Sequence, residues 1–357
     1  METATKTLVF TGSYAESHEN GICVYSFLPD TGDLTRLDQV SGIKNPTFLN
    51  VNAKTNRLYA IGEVSENGQK RGEVITFEID PSTGSLHELS RIQGSSSSTC
   101  HIQRDPEDQY LIVSSYHGGC VGLISLDDNG VASKLLDEQF HDRYRSNADQ
   151  QPRAHSAFFS PDGKYVFVQD LGLDKILAYQ INKADNALEF HGETMLESGS
   201  GPRHLAFHPS GKYAYVINEL NSTVTVFRYN KEGSLETIQT LSTLPDDFAG
   251  ESYCAEIAVS EDGQHVYGSN RGHDSIVVFA VEENSGELSA IQFISTEGGH
   301  PRHFSFMPGG QFMMAANRDG NNLVLFTVNP ENGLLHFTGK TVEQSKPVCV
   351  KPAVFTV

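Results

Sequence analysis

Cysteine is scarce and scattered in this chain. The five residues Cys23, Cys100, Cys120, Cys254 and Cys349 are odd in number, far apart and never spaced as CxxC. That argues against a disulfide framework and a thiolate zinc site, and leaves buried small hydrophobes as the plain reading. Long apolar runs are missing too: no stretch approaches the roughly 18–20 residues of a spanning helix. The opening residues METATKTLVFTGSY show no basic segment followed by an apolar one, so no secretory leader is expected. With 38% apolar and 20% charged residues, the chain is expected to be a folded cytoplasmic protein. Positive charge is also in short supply, with 26 Lys and Arg against 45 Asp and Glu and a net charge of −19. A field of that sign repels nucleic acid and anionic membranes, so neither is expected as a partner. It still permits a small anion, because a local arginine cluster dominates within a Debye length of about 8 Å.

What is present is a repeat. Pro202-Arg203-His204 returns as Pro301-Arg302-His303, and each copy leads into a strand-like run. "RHLAFHP", the turn "PSGK", "YAYVIN", "TVTVFRYN", the turn "KEGS" and "LETIQTLS" read as four strands with glycine-bearing turns. The same grammar recurs in "HSAFFSPDGKYVFVQD", "AEIAVSEDGQHVYGSN" and "RHFSFMPGGQFMMAAN", and no helix of consequence is expected. Four strands per unit of roughly 50 residues is the pattern of a propeller blade. Six inner hairpins start near Thr47, Cys100, His155, Arg203, Ala255 and Arg302. The N-terminal unit has only three strands, and the C-terminal "KPVCVKPAVFTV" supplies a lone one. The expectation is an all-β, seven-bladed β-propeller as a single domain over residues 1–357, its first blade closed by the C-terminal strand. The polar stretch from Asp137 to Ala154 reads as a long loop, either a binding loop or a mobile surface segment.

Equivalent positions in the units form rings around a propeller channel. One ring is Thr47, Cys100, His155, Arg203, Ala255, Arg302 and Val348; the next is Phe48, His101, Ser156, His204, Glu256, His303 and Cys349. Being one residue apart, their side chains should point to opposite faces of the strand, and the sequence leaves open which faces the channel. A third ring, Tyr14, Val64, Tyr116, Leu171, Glu219, Arg271 and Arg318, returns to the same end. Four arginines thus gather at one mouth of an acidic protein. Arginine grips carboxylate or phosphate with paired hydrogen bonds, so a small anionic ligand is expected. The plainer reading is a set of structural ion pairs between blades. His204 and His208 share a strand face but stand about 13 Å apart, too far for one metal; no metal or cofactor is expected.

The segment "GPRHLAFHPSGKYAYVINELNSTVTVF" resembles the bacterial seven-bladed propeller 6-phosphogluconolactonases, relatives of the fungal carboxy-cis,cis-muconate lactonizing enzymes. The resemblance spans essentially the whole chain. It implies an intracellular, metal-independent enzyme with a site of histidine, arginines and glutamate. Carried over by motif, these fall on His155 in "PRAHSAFFSP", Arg203 in "GPRH", Glu219 in "NELNS" and Arg271 in "SNRGHDS". Arg302, Arg318, His204, His303, His101 and Tyr116 are the candidate substrate-binding residues.

The expected reaction is hydrolysis of 6-phosphogluconolactone in the pentose phosphate pathway. Arg271, Arg302 or Arg318 would hold the phosphate, Arg203 would stabilise the oxyanion, and His155 or Glu219 would be the base. A glutamate flanked by arginines suits orienting Arg203 better than taking a proton, so His155 is preferred. Two alternatives stand beside it: a lactonizing or other sugar-lactone reaction, and a non-catalytic binding platform. A monomer or small homo-oligomer is expected.

Overall fold

The computed structural model describes residues 4–357, and it is built of seven four-stranded antiparallel sheets arranged as a propeller. Blade 1 combines Thr5–Ser13, Ile22–Leu28 and Asp33–Val40 with the C-terminal strand Pro347–Thr356. That last strand pairs antiparallel with the first, from Thr5 opposite Thr356 to Gly12 opposite Cys349. The chain ends therefore close the ring and cover the strand edge each would otherwise expose. Blades 2 to 7 follow in chain order, their innermost strands being Leu49–Asn52, His101–Arg104, Ala154–Phe159, Pro202–Phe207, Tyr253–Val259 and Pro301–Phe306.

Burial explains the strand grammar. The second strand of each blade lies between neighbouring blades and is covered on both faces; all six residues of Tyr213–Asn218 are buried. Such a strand reads as a continuous apolar run. The outer strand Leu235–Ser242 alternates toward solvent. Blades are latched by tyrosines. Tyr59, Tyr215 and Tyr267 donate to the carbonyls of Gly130, Gly286 and Gly333 in the next blade. The Ser-Pro-Asp-Gly turn needs its glycine: Gly163 sits at φ +71°, in the left-handed region, while Ser160 Oγ donates to Asp162 at 2.6 Å.

The stretch from Asp137 to Ala154 differs from the expected loop. Asp137 to Phe140 complete the outer strand Ala132–Phe140, and a 3-10 turn follows over His141–Tyr144. The turn is anchored, because His141 is fully buried and its Nδ1 lies 2.7 Å from Asp170 Oδ2. Asp170, also fully buried, accepts the backbone N–H groups of Arg153, Gly172 and Leu173 at 2.8, 3.1 and 3.0 Å. Asp170→Ala orphans all four donors and is expected to lower unfolding free energy by about 3–5 kcal/mol. Urea unfolding measures this directly; an unchanged midpoint would show that the anchor contributes nothing.

Candidate active site

The innermost strands carry a device that strict alternation does not anticipate. In blade 4, pairing jumps from Ala154–Asp170 to Ser156–Gln169 and leaves His155 without a partner. The same bulge skips Arg203 in blade 5, Arg302 in blade 7 and Val348 in blade 1. An extra residue in one strand breaks the two-residue alternation. The first two rings therefore do not point to opposite faces; both gather around the channel at successive depths. The first lines the mouth, and the second fills the channel beneath it.

One cavity of about 280 Å³ opens at the mouth, lined by Thr47, Cys100, His155 and Arg302 of the first ring and Tyr14, Tyr116 and Glu219 of the third. Asn45, Glu63, Ser98, Thr99 and His117 complete the wall. Glu219 follows the strand Tyr213–Asn218, and its Oε2 meets Arg203 Nε at 3.0 Å and Arg271 NH2 at 2.9 Å. Arg203 NH1 donates to the Ala255 carbonyl at 2.5 Å, and Arg271 donates to the carbonyls of Tyr253 and Cys254. Both guanidinium groups are buried, at 2% and 7% exposure. Burial, with Arg302 and Arg271 alongside, pushes the Arg203 pKa down to about 9.

Arg302 is different. It is half-buried, stacks over Tyr14 at 5.6 Å, and among the described residues forms no ion pair. Two guanidinium groups thus share the single carboxylate of Glu219, and the third, Arg302, faces the cavity unpaired among the described residues. His155, 4% exposed, sits across the cavity. Burial, then Arg203, His204, Arg302 and Arg271, hold its pKa well below the ordinary imidazole range, so it is neutral at pH 7. Tyr116 packs edge-on against it at 5.9 Å, with Arg153 over the Tyr116 ring at 5.0 Å.

The remaining candidates fall elsewhere. Arg318 borders an adjoining recess, and its guanidinium is occupied by Asp319 at 2.6 and 3.0 Å. His101, His204 and His303 are buried below the cavity, packed around Phe48 at ring separations of 4.4, 5.9 and 5.6 Å. Glu256 joins them, 3.0 Å from His204 Nδ1 and 3.1 Å from His303 Nε2. Sequence reasoning missed Asn45, Glu63, Ser98, Thr99 and His117. In blade 2 the cavity residue is Glu63, one place before the Val64 of the third ring, and His117 directly follows Tyr116. A one-residue tolerance in the ring register would have found both.

Glu219→Gln removes the carboxylate that pairs directly with two buried cations. It is expected to destabilise the fold by about 3 kcal/mol, the low end for a buried pair because Glu219 keeps partial exposure. A urea midpoint equal to that of the parent would contradict the shared clamp.

Comparison with known proteins places this geometry in a lineage. Residues 8–352 match the model for the family described as lactonase, 7-bladed beta-propeller. The chain is 37% identical over 351 residues to the 6-phosphogluconolactonase of Bacillus subtilis, covering 97% of this chain and 98% of that one. The solved structure of a periplasmic gluconolactonase from Pseudomonas aeruginosa superposes with a TM-score of 0.89 at 30% identity, covering 98% and 99% of the two chains. A protein of known structure from Lactobacillus plantarum matches with a TM-score of 0.88 at 28% identity, covering 98% and 100%. A propeller closed by its own C-terminal strand, with arginines, a histidine and a glutamate gathered at one mouth, thus belongs to the seven-bladed β-propeller lactonase family.

Proposed function

We propose that this protein hydrolyses 6-phosphogluconolactone to 6-phosphogluconate at the channel mouth. The observation that carries the reading is the pairing, across one cavity, of an unpaired guanidinium with a neutral imidazole. Arg302 takes the phosphate. A water held by His155 attacks the lactone carbonyl carbon while His155 accepts its proton. The ring C–O bond then breaks, and the same proton passes to the departing ring oxygen, which becomes the C5 hydroxyl. The new carboxyl group releases its proton to solvent. Arg203 and Arg271, fixed by Glu219, supply a preorganised positive field for the oxyanion. This differs from the sequence-based assignment in one respect. Of the three arginines expected to hold phosphate, Arg271 and Arg318 are already occupied, by Glu219 and Asp319 respectively.

The number of separate anionic groups favours this substrate over an unsaturated dicarboxylate: a phosphorylated lactone carries its charge on one group, a dicarboxylate on two. Two separated carboxylates are best met by two cations, whereas among the described residues the cavity is lined by one guanidinium, Arg302, and by the carboxylates of Glu219 and Glu63. With a phosphorylated sugar lactone as substrate, the enzyme would work in the cytoplasm and in the pentose phosphate pathway.

Initial rates, corrected for spontaneous opening of freshly made lactone, test the assignment. Arg302→Ala is expected to raise KM roughly 10–100-fold, the worth of a charge-assisted hydrogen bond. His155→Ala is expected to cut kcat by about 10²–10⁴. Near-parental turnover in both variants would refute the site. The pH dependence has a definite sign. A base acts when unprotonated, and the His155 pKa is depressed, so the rate should hold level from pH 8 to 6.5 and fall only at lower pH. An acid limb centred at or above pH 6.5 would exclude His155 as the base.

A further inference from the structure

The buried layer beneath the cavity contains a carboxylate and imidazoles that the hydrolysis scheme leaves unused. Glu256 Oε1 accepts the Ile257 N–H at 3.1 Å and faces His204 Nδ1 at 3.0 Å. Its Oε2 faces His303 Nε2 at 3.1 Å. A carboxylate only accepts, so His204 Nδ1, which is hydrogen-bonded to it, must carry a hydrogen. Lys351 Nζ, 3.4 Å from His303 Nε2 and 4.4 Å from the Phe48 ring centroid, balances the carboxylate charge.

His204 is therefore fixed as the Nδ1–H tautomer. Burial first, then Arg203, Lys351, Arg302 and Arg271, hold its pKa well below the ordinary range, so it stays neutral and its Nε2 is a lone pair. That nitrogen is buried and has no hydrogen-bond partner; the same is true of His155 Nδ1. The two rings stand edge-on at 62° with centroids 5.3 Å apart. At that separation, facing nitrogens lie about 3 Å apart, hydrogen-bond length, after a small ring rotation. Pairing them satisfies two buried orphans at once.

We propose that Glu256 and His204 are positioning residues for His155: Glu256 fixes His204, and His204 holds His155 as the Nδ1–H tautomer, leaving the His155 Nε2 lone pair directed at the cavity. The catalytic consequence rests on the lactonase reading above; the tautomer assignment does not. His101 is the competing donor. Its Nδ1 accepts the Ala157 N–H at 3.4 Å, so its hydrogen is on Nε2, and its ring lies 5.5 Å from His204. His155 is the nearer ring, at 5.3 against 5.5 Å; His101 Nε2 is likewise buried without a partner, and its pairing with His204 would leave His155 without the Nδ1–H assignment in the spectrum below. The other groups facing His155 are Arg203, Arg271 and Arg302, with Tyr116 and Cys100 beside it in the cavity wall.

The test is a two-bond proton–nitrogen correlation spectrum of full-length protein carrying ¹⁵N-histidine at pH 7.5. The parent should show His155 protonated at Nδ1 and bare at Nε2, and His204 likewise. His204→Phe should shift His155 toward a tautomer mixture, with kcat falling roughly tenfold or more and KM changing less than about threefold. A parent His155 protonated at Nε2, or a His155 signal unmoved in His204→Phe, would overturn the proposal. The parent spectrum needs no variant to fold. If the tautomers are as stated while no lactone is turned over, the lactonase reading fails and the positioning chain stands.

Discussion

A single oxygen of Glu219 holds two guanidinium groups, and the channel mouth is organised around that shortage of negative charge. Arg203 and Arg271 are immobilised by it and by three backbone carbonyls. Neither is free to meet a ligand, yet both keep their charge close behind the cavity wall. Among the described residues, Arg302 is left without a carboxylate. In a protein of net charge −19, this is how a local cationic site survives: the cations are buried, hence unscreened, and outnumber their partner. Desolvation, reinforced by the same positive field, keeps His155 unprotonated.

The geometry that brings these groups together comes from the bulges. Without them, the residues at 155, 203 and 302 would alternate strictly with their neighbours at 156, 204 and 303 between the two faces of each blade. With them, two successive rings converge on the channel, and the molecule gains a polar mouth above a packed aromatic and imidazole layer. Phe48 stands at the centre of that layer, touching rings from three other blades. Closure by the C-terminal strand makes this possible, since Val348, Cys349 and Lys351 supply the part of the ring that the N-terminal strands lack.

Much of the fold was legible because it is repeated. The glycine-bearing turns, the fully apolar second strands and the missing inner strand of the first unit each follow from a local rule, and together they specify seven blades and their closure. The positions of His155, Arg203, Arg302 and Glu219 at one end of the channel follow from the same register. Side-chain partners did not follow. That Arg318 would be taken by the adjacent Asp319, or that Asp137 to Phe140 would extend a strand, depends on packing between units rather than on any motif. Nor does composition reveal a bulge: Pro202-Arg203-His204 looks like an ordinary strand start, and only the pairing shows its middle residue to be unpartnered. Glu63 escaped for a related reason, since the hairpin of blade 2 is longer, running from Arg57 to Ile79 with a two-residue connection.

The central claim is that one unpaired guanidinium and one neutral imidazole, held by repetition on opposite sides of a single cavity, form the anion-binding reaction site. A crystal structure with 6-phosphogluconate bound tests it most directly. The expected result is the phosphate within hydrogen-bond reach of Arg302 and the carboxylate beside His155 Nε2, with Glu219 still clamping Arg203 and Arg271. A product molecule bound instead in the larger groove between blades 1 and 7, beside Arg36 and Gln344, with the mouth cavity empty, would contradict it.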